Sequence, residues 1–137
     1  MEHMKWWGWG DEGVGFHFED KPGFAPFVEY AIGLDLHTAK PESVAALASI
    51  TVPASQAPTD FLELLTTIVG SDYVTKDDEE PIVHTFGKSI RDLIRVRAAQ
   101  FPRTPDVVVY PADEQQVQQI VDAAVAADAV IIPFGGG

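Results

Sequence analysis

Apolar positions recur at helical spacing in three stretches of the chain. Phe61, Leu64, Leu65, Ile68 and Val69 stand at i, i+3, i+4, i+7 and i+8, the stripe of an amphipathic helix. Asp60 and Glu63 have capping-box spacing ahead of it and Gly70 is a natural stop. Lys88–Gln100 reads as a second helix, capped by Ser89 with Asp92 three residues on, its faces set by Ile90, Leu93, Ile94 and Arg97. A third helix follows the capping box Asp113-Glu114-Gln115-Gln116, with Val117, Ile120, Val121, Ala124 and Val125 on one side and Gln115, Gln118, Gln119 and Asp122 opposite. It is flanked by two runs of the fully buried strand type, Asp106–Pro111 and Ala129–Phe134. Strand, helix, strand, with roughly 20 residues between the strands, predicts a βαβ unit with a right-handed crossover.

The first 58 residues have a different texture. Trp6, Trp7, Trp9, Phe16, Phe18 and Phe24 interleave with Gly8, Gly10, Gly13, Gly15 and Gly23, with neither a helical nor a strand period. Indole rings this close to a terminus need a surface to cover them, so residues 1–24 are expected to form an extended arm lying across a body. Residues 25–58 alternate short apolar pieces with Pro26, Pro41, Pro53 and Pro58. A short helix is expected to start at Pro41, and Thr51–Pro58 reads as a linker.

Composition narrows the classes. With 137 residues and 46% hydrophobic side chains the chain is at most one domain and can bury a core. Nine basic and 21 acidic residues give a net charge of −12, which argues against nucleic-acid binding. The absence of cysteine excludes disulfides, thiolate zinc sites and a thiol nucleophile. No apolar run reaches the roughly 20 residues of a membrane helix, and Met1–Trp6 has no basic n-region or apolar h-region. The default expectation is a soluble cytoplasmic protein. The charge is uneven, because Lys88, Arg91, Arg95, Arg97 and Arg103 face only Asp92 within residues 88–103. That segment is either a solvated helix face or a surface that docks another part of a larger protein or an anionic ligand.

Few motifs carry chemistry. Gly87-Lys88-Ser89 lacks the upstream glycine of a P-loop, since Ile82 stands in its place. His3, His17, His37 and His84 share no ligand spacing, and Asp77–Glu80 reads as a solvated acidic run, so no metal site is expected. No nucleophile elbow is present. Pro133-Phe134-Gly135-Gly136-Gly137 is the feature that matters, a triple glycine placed directly after the second strand. Without Cβ atoms, consecutive backbone N–H groups there can form a concave site for a diphosphate. A linker would have the same composition, and the G-x-G-x-x-G of a Rossmann site is missing.

Several segments together resemble, in order, the amino-terminal part of bacterial alkyldihydroxyacetonephosphate synthase-like flavoproteins. These belong to the FAD-linked oxidase superfamily that includes vanillyl-alcohol oxidase and p-cresol methylhydroxylase. Lys5-Trp6-Trp7-Gly8-Trp9-Gly10 resembles their opening K-W-x-G-W-G. Phe61-Leu62 with Leu65 and Val69-Gly70 resembles the helix that follows. Asp78, Ile82-Val83-His84, Gly87-Lys88-Ser89, Asp92-Leu93 and Arg95-Val96-Arg97 resemble the next segment. Pro105–Pro111 and Ile131–Gly137 resemble the start of the FAD-binding domain.

The resemblance covers nearly the whole chain. It implies an α/β (α+β overall) architecture: a helical amino-terminal region, residues 1–101, followed over 102–137 by the first βαβ unit of a PCMH-type FAD-binding domain, truncated. Pro133, Phe134, Gly135, Gly136 and Gly137 would hold the FAD diphosphate, while the catalytic residues and the substrate cap domain are expected downstream. The implied reaction replaces the acyl group of acyl-dihydroxyacetone phosphate by a fatty alcohol, a step of ether lipid synthesis. An FAD-linked dehydrogenase of a 2-hydroxy acid is the alternative enzyme, and a non-catalytic stub the alternative for the isolated chain. The expected setting is the bacterial cytoplasm, with room for association with a membrane surface and for a homodimer.

Overall fold

A computed structural model describes residues 5–11, 13–15, 17–39, 44–75 and 79–135. Its elements in chain order are α1 (Phe24–Ile32), a 3₁₀ turn at Leu47–Ser49, α2 (Thr59–Val69), a 3₁₀ turn at Ser71–Tyr73, β1 (Val74–Thr75), α3 (Glu79–Val83), α4 (Ile90–Arg97), β2 (Val108–Val109) and α5 (Glu114–Ala126). The mixed helix-and-strand class expected from the sequence holds.

Residues 5–9 of the expected arm lie across a body, whereas most of the described residues from 10 to 23 are exposed. Trp6 is buried in one cluster with Ile82, Val83 and Val96, flanked by Trp7, Val44, Leu47, Ile50, Val52, Phe86 and Phe101. Polar contacts fasten it: Trp9 Nε1 donates to the Lys88 carbonyl at 2.8 Å, Lys88 Nζ to the Lys5 carbonyl at 2.9 Å, and Arg97 Nε to the Trp7 carbonyl at 3.0 Å. The Arg97 guanidinium also lies 5.5 Å from the Trp7 ring centre, a cation–π contact. Two of the five basic residues of segment 88–103 are thus used on the chain's own arm. Burial lowers the pKa of Lys88 from the ordinary lysine value, because a desolvated ammonium is disfavoured.

The α2 helix forms where the apolar period predicts it, with Leu65 and Val69 buried and α5 packed against it. Its start differs from expectation. Pro58 occupies the N-cap without a side-chain bond, and Asp60 lies inside the first turn, where its carboxylate accepts from the Phe61 N–H at 3.0 Å. The α1 helix is absent from the sequence reading because Pro26 argues against a helix interior. Here Pro26 sits in the first turn, whose N–H groups have no intrahelical acceptor in any case. The helix expected at Pro41 begins outside the described residues.

The two following helix starts match expectation more closely. Ser89 accepts from the Asp92 N–H at 3.2 Å and donates to Asp92 Oδ2 at 2.7 Å. Asp113 accepts from the Gln116 N–H at 2.8 Å, while the Gln116 side chain bonds the Ala112 N–H at 2.7 Å, one residue earlier than in a standard box. Helix α4 ends at Arg97, short of the predicted Gln100. Ala99 takes a left-handed φ of 54°, and Gln100 N–H closes onto the Arg95 carbonyl at 2.9 Å, a Schellman stop made without glycine. Helix α5 ends the same way, with Asp128 at φ 52° and Ala129 N–H on the Ala124 carbonyl at 2.9 Å.

The predicted βαβ unit is corrected. Val108 and Val109 do form a strand, but they pair antiparallel with Thr75 and Val74, in the register Val74↔Val109 and Thr75↔Val108. Tyr110 N–H continues the ladder onto the Tyr73 carbonyl at 3.0 Å. Among the described residues Ala129–Gly135 has no strand assignment, and Val130 and Ile132 are 88% and 81% exposed. The physical reason is the partner. The short β-branched run after Gly70 offers an edge to Val108–Val109, whereas among the described residues no strand pairs with residues 130–132.

Candidate functional site

The glycine loop opens from residue 133. Pro133 and Gly135 are exposed and Phe134 is half-buried, while Gly136 and Gly137 lie outside the described residues. Gly135 has no left-handed φ, and among the described residues no atom beyond its chain neighbours lies within 4 Å of the position its Cβ would occupy. Neither backbone strain nor crowding within the chain requires glycine there. What the missing side chain does provide is close access to the backbone from outside.

Phe134 is seated on His84, with ring centres 4.5 Å apart and planes at 61°, the edge-to-face arrangement that aromatic quadrupoles favour. His84 follows α3 by one residue and is held by that helix. Its Nδ1 lies 2.9 Å from the Glu80 carbonyl oxygen and 3.2 Å from the Glu80 carboxylate. A nitrogen facing two acceptors carries the proton. Tyr110, at the end of β2, donates its hydroxyl to Glu80 Oε2 at 2.6 Å, and the same hydroxyl is 3.5 Å from His84 Nε2. The His84 and Tyr110 rings meet edge-on at 6.0 Å.

Glu80 is 7% exposed, so its carboxylate depends on these partners. The expectation of a solvated acidic run from Asp77 to Glu80 therefore fails at Glu80, which α3 turns inward. Burial, and then the hydrogen bond and charge of Glu80, hold the Tyr110 phenol above its ordinary pKa. The proton between Tyr110 and Glu80 thus stays on the phenol.

The structure joins the sequence-predicted loop to three residues the sequence reading left unassigned: Glu80, His84 and Tyr110. One signal was available, since Glu80 and His84 are four residues apart and share a helix face if a helix runs through Pro81. Of the other histidines, His17 and His37 are exposed and His3 lies outside the described residues. Among the described residues no group of three or more His, Asp or Glu side chains is arranged to hold a metal ion. A cleft of about 540 Å³ lined by Phe86, Arg95, Gln100, Phe101 and Pro102 shares no residue with the cluster. Among the described residues no helix is long and apolar enough to cross a membrane.

No family model matches the chain, but individual proteins do. Over 85 residues, 62% of its length, it is 42% identical to the alkyldihydroxyacetonephosphate synthase of Dictyostelium discoideum, of which it spans 14%. A solved alkyldihydroxyacetonephosphate synthase superposes with a TM-score of 0.81 at 29% identity, over 96% of this chain and 28% of that one. A third relative, Protein Rv2250A of Mycobacterium tuberculosis, is 30% identical over 108 residues, 79% of this chain and 69% of that protein. The chain therefore spans a minor part of the synthases it matches and most of the third relative.

Proposed function

We propose, from the premise that this chain belongs to the alkyldihydroxyacetonephosphate synthase-like family, that it forms the amino-terminal part of an enzyme exchanging the acyl group of acyl-dihydroxyacetone phosphate for a fatty alcohol. In this reading residues 1–101 brace the structure and residues 102–137 begin an FAD-binding domain. Pro133, Phe134, Gly135, Gly136 and Gly137 would hold the FAD diphosphate, and no catalytic residue is assigned within the chain. FAD, once bound, supplies an electrophilic ring system for the exchange. The protein's own contribution here is backbone N–H groups for the diphosphate on a loop whose first aromatic residue is seated on His84.

The observation that carries the reading is Gly135, exposed and open where a Cβ would stand, in a chain that matches the synthases over 96% of its length. The test is FAD titration of the protein expressed in its complete reading frame, followed by quenching of flavin fluorescence. Saturable binding weakened about tenfold or more by Gly135→Val, a loss of about 1.4 kcal/mol, is the expected result. Absence of flavin binding by the unsubstituted protein refutes the reading. Acyl exchange without net oxidation then separates the synthase from an FAD-linked dehydrogenase.

A second reading is supported by the Mycobacterium tuberculosis relative, whose length is comparable to that of this chain. On that reading the isolated chain is a non-catalytic stub, only partly folded, with at most a docking role. It predicts a poorly cooperative melt of the 137 residues with dye-binding apolar surface, and a sharp thermal transition without dye binding refutes it.

A further inference from the structure

We infer that His84 is a positioning residue for the glycine loop: its ring, held in place by Glu80 and Tyr110, seats Phe134 and so fixes where the diphosphate-facing backbone begins. The inference rests on the proposed role of that loop and adds to it a residue some fifty positions away in sequence.

The geometry provides each link. Helix α3 places His84 one turn after Glu80, so that Nδ1 meets both the carbonyl and the carboxylate of that residue, at 2.9 and 3.2 Å. Those two contacts set the ring's rotation. Tyr110 donates to the same carboxylate oxygen, Glu80 Oε2, at 2.6 Å and meets the ring edge-on, so the imidazole is confined by both neighbours. The β1–β2 pairing in turn fixes Tyr110, whose N–H is bonded to the Tyr73 carbonyl. Phe134 then packs on the imidazole at 4.5 Å. It is half-buried between exposed neighbours, in a segment whose preceding residues 130–132 are largely exposed. The Phe134–His84 contact is thus an anchor of the loop to the body at the point where the glycines start. A loop that must present N–H groups to an anion gains affinity by being fixed beforehand, because less ordering remains to be done on binding.

Two substitutions separate this role from a merely structural one. His84→Leu removes the ring and the donor to Glu80, whereas His84→Phe removes the donor and keeps an aromatic ring under Phe134. If His84 served only to satisfy Glu80, both would behave alike. The protein in its complete reading frame is measured for FAD affinity by fluorescence quenching and for backbone amide exchange over residues 134–137 without FAD. The expected result is about tenfold weaker FAD binding and faster loop exchange in His84→Leu, with His84→Phe recovering to within about threefold of the unsubstituted protein. Equal effects of the two substitutions, or no effect of either, overturn the inference. If the unsubstituted protein binds no FAD, the proposed function fails, and loop exchange still decides the positioning role: faster in His84→Leu than in His84→Phe supports it, identical rates refute it.

Discussion

Two regions of this chain carry the same kind of residues and end up in opposite conditions. Around Trp6, apolar side chains from the arm, α3 and α4 close on one another, and three hydrogen bonds tie residues 5–9 to residues 88–97. Around Ile131, a run of β-branched residues with a stronger strand signature lies open, with Val130 at 88% and Ile132 at 81% exposure. Hydrophobicity is similar in the two regions; partners are not. Burial follows from the availability of a complementary surface, and a strand-like sequence with no edge to pair with stays extended and bare.

The largest effect that would test this contrast is Trp6→Ala. Removing a buried indole from the arm's contact with Ile82, Val83 and Val96 should cost about 3–5 kcal/mol, read as a fall in urea midpoint at unchanged slope. A loss below about 1 kcal/mol would mean that the arm rests on the body without contributing to its core.

Tyr110→Phe comes next. It takes a donor from a buried carboxylate and should cost about 1.5–3 kcal/mol near neutral pH. The fold holds the phenol above its ordinary value of 10.0. Its contribution is therefore intact below that pH and is lost as the pH climbs past it. The phenylalanine variant, with no phenolic proton, should show a shallower alkaline loss of melting temperature than the parent.

Ala99→Gly should act in the opposite direction. Relieving an alanine at φ 54° is expected to raise stability by up to about 1 kcal/mol, measurable as a higher melting temperature. The smallest change belongs to the open region: Ile132→Ala should shift stability by less than about 0.5 kcal/mol. A loss comparable to that of Trp6→Ala would erase the distinction between the two regions.

The sequence was legible where the determinant is local. The apolar period and Gly70 place α2, and the Ser89–Asp92 and Asp113–Gln116 pairs place the starts of α4 and α5, because each cap is written within four residues. The ends of α4 and α5 were not legible, since their left-handed stops fall on Ala99 and Asp128 rather than on glycine. Pairing of Val108–Val109 with Val74–Thr75 was hidden for a different reason. A parallel partner twenty residues downstream looked sufficient, and the two-residue edge at Val74 carries almost no signal of its own. Of the site, the glycine loop was visible in the sequence while Glu80, His84 and Tyr110 were not, because Tyr110 and Phe134 reach them only through tertiary structure.

The arm also constrains the order in which the protein can be made. Trp6 and Trp9 are synthesised before the groups that cover or bind them, Ile82, Val96 and Lys88, which follow about 75 to 90 positions later. For that interval the nascent chain carries indole rings with no native surface to rest on, the kind of exposed apolar segment that chaperones hold. Closing so long a loop is entropically costly, so arm docking belongs among the late steps of folding. A segment made before its partners and fastened last is a reporter of completion: once the arm is protected from protease, α4 has formed beneath it.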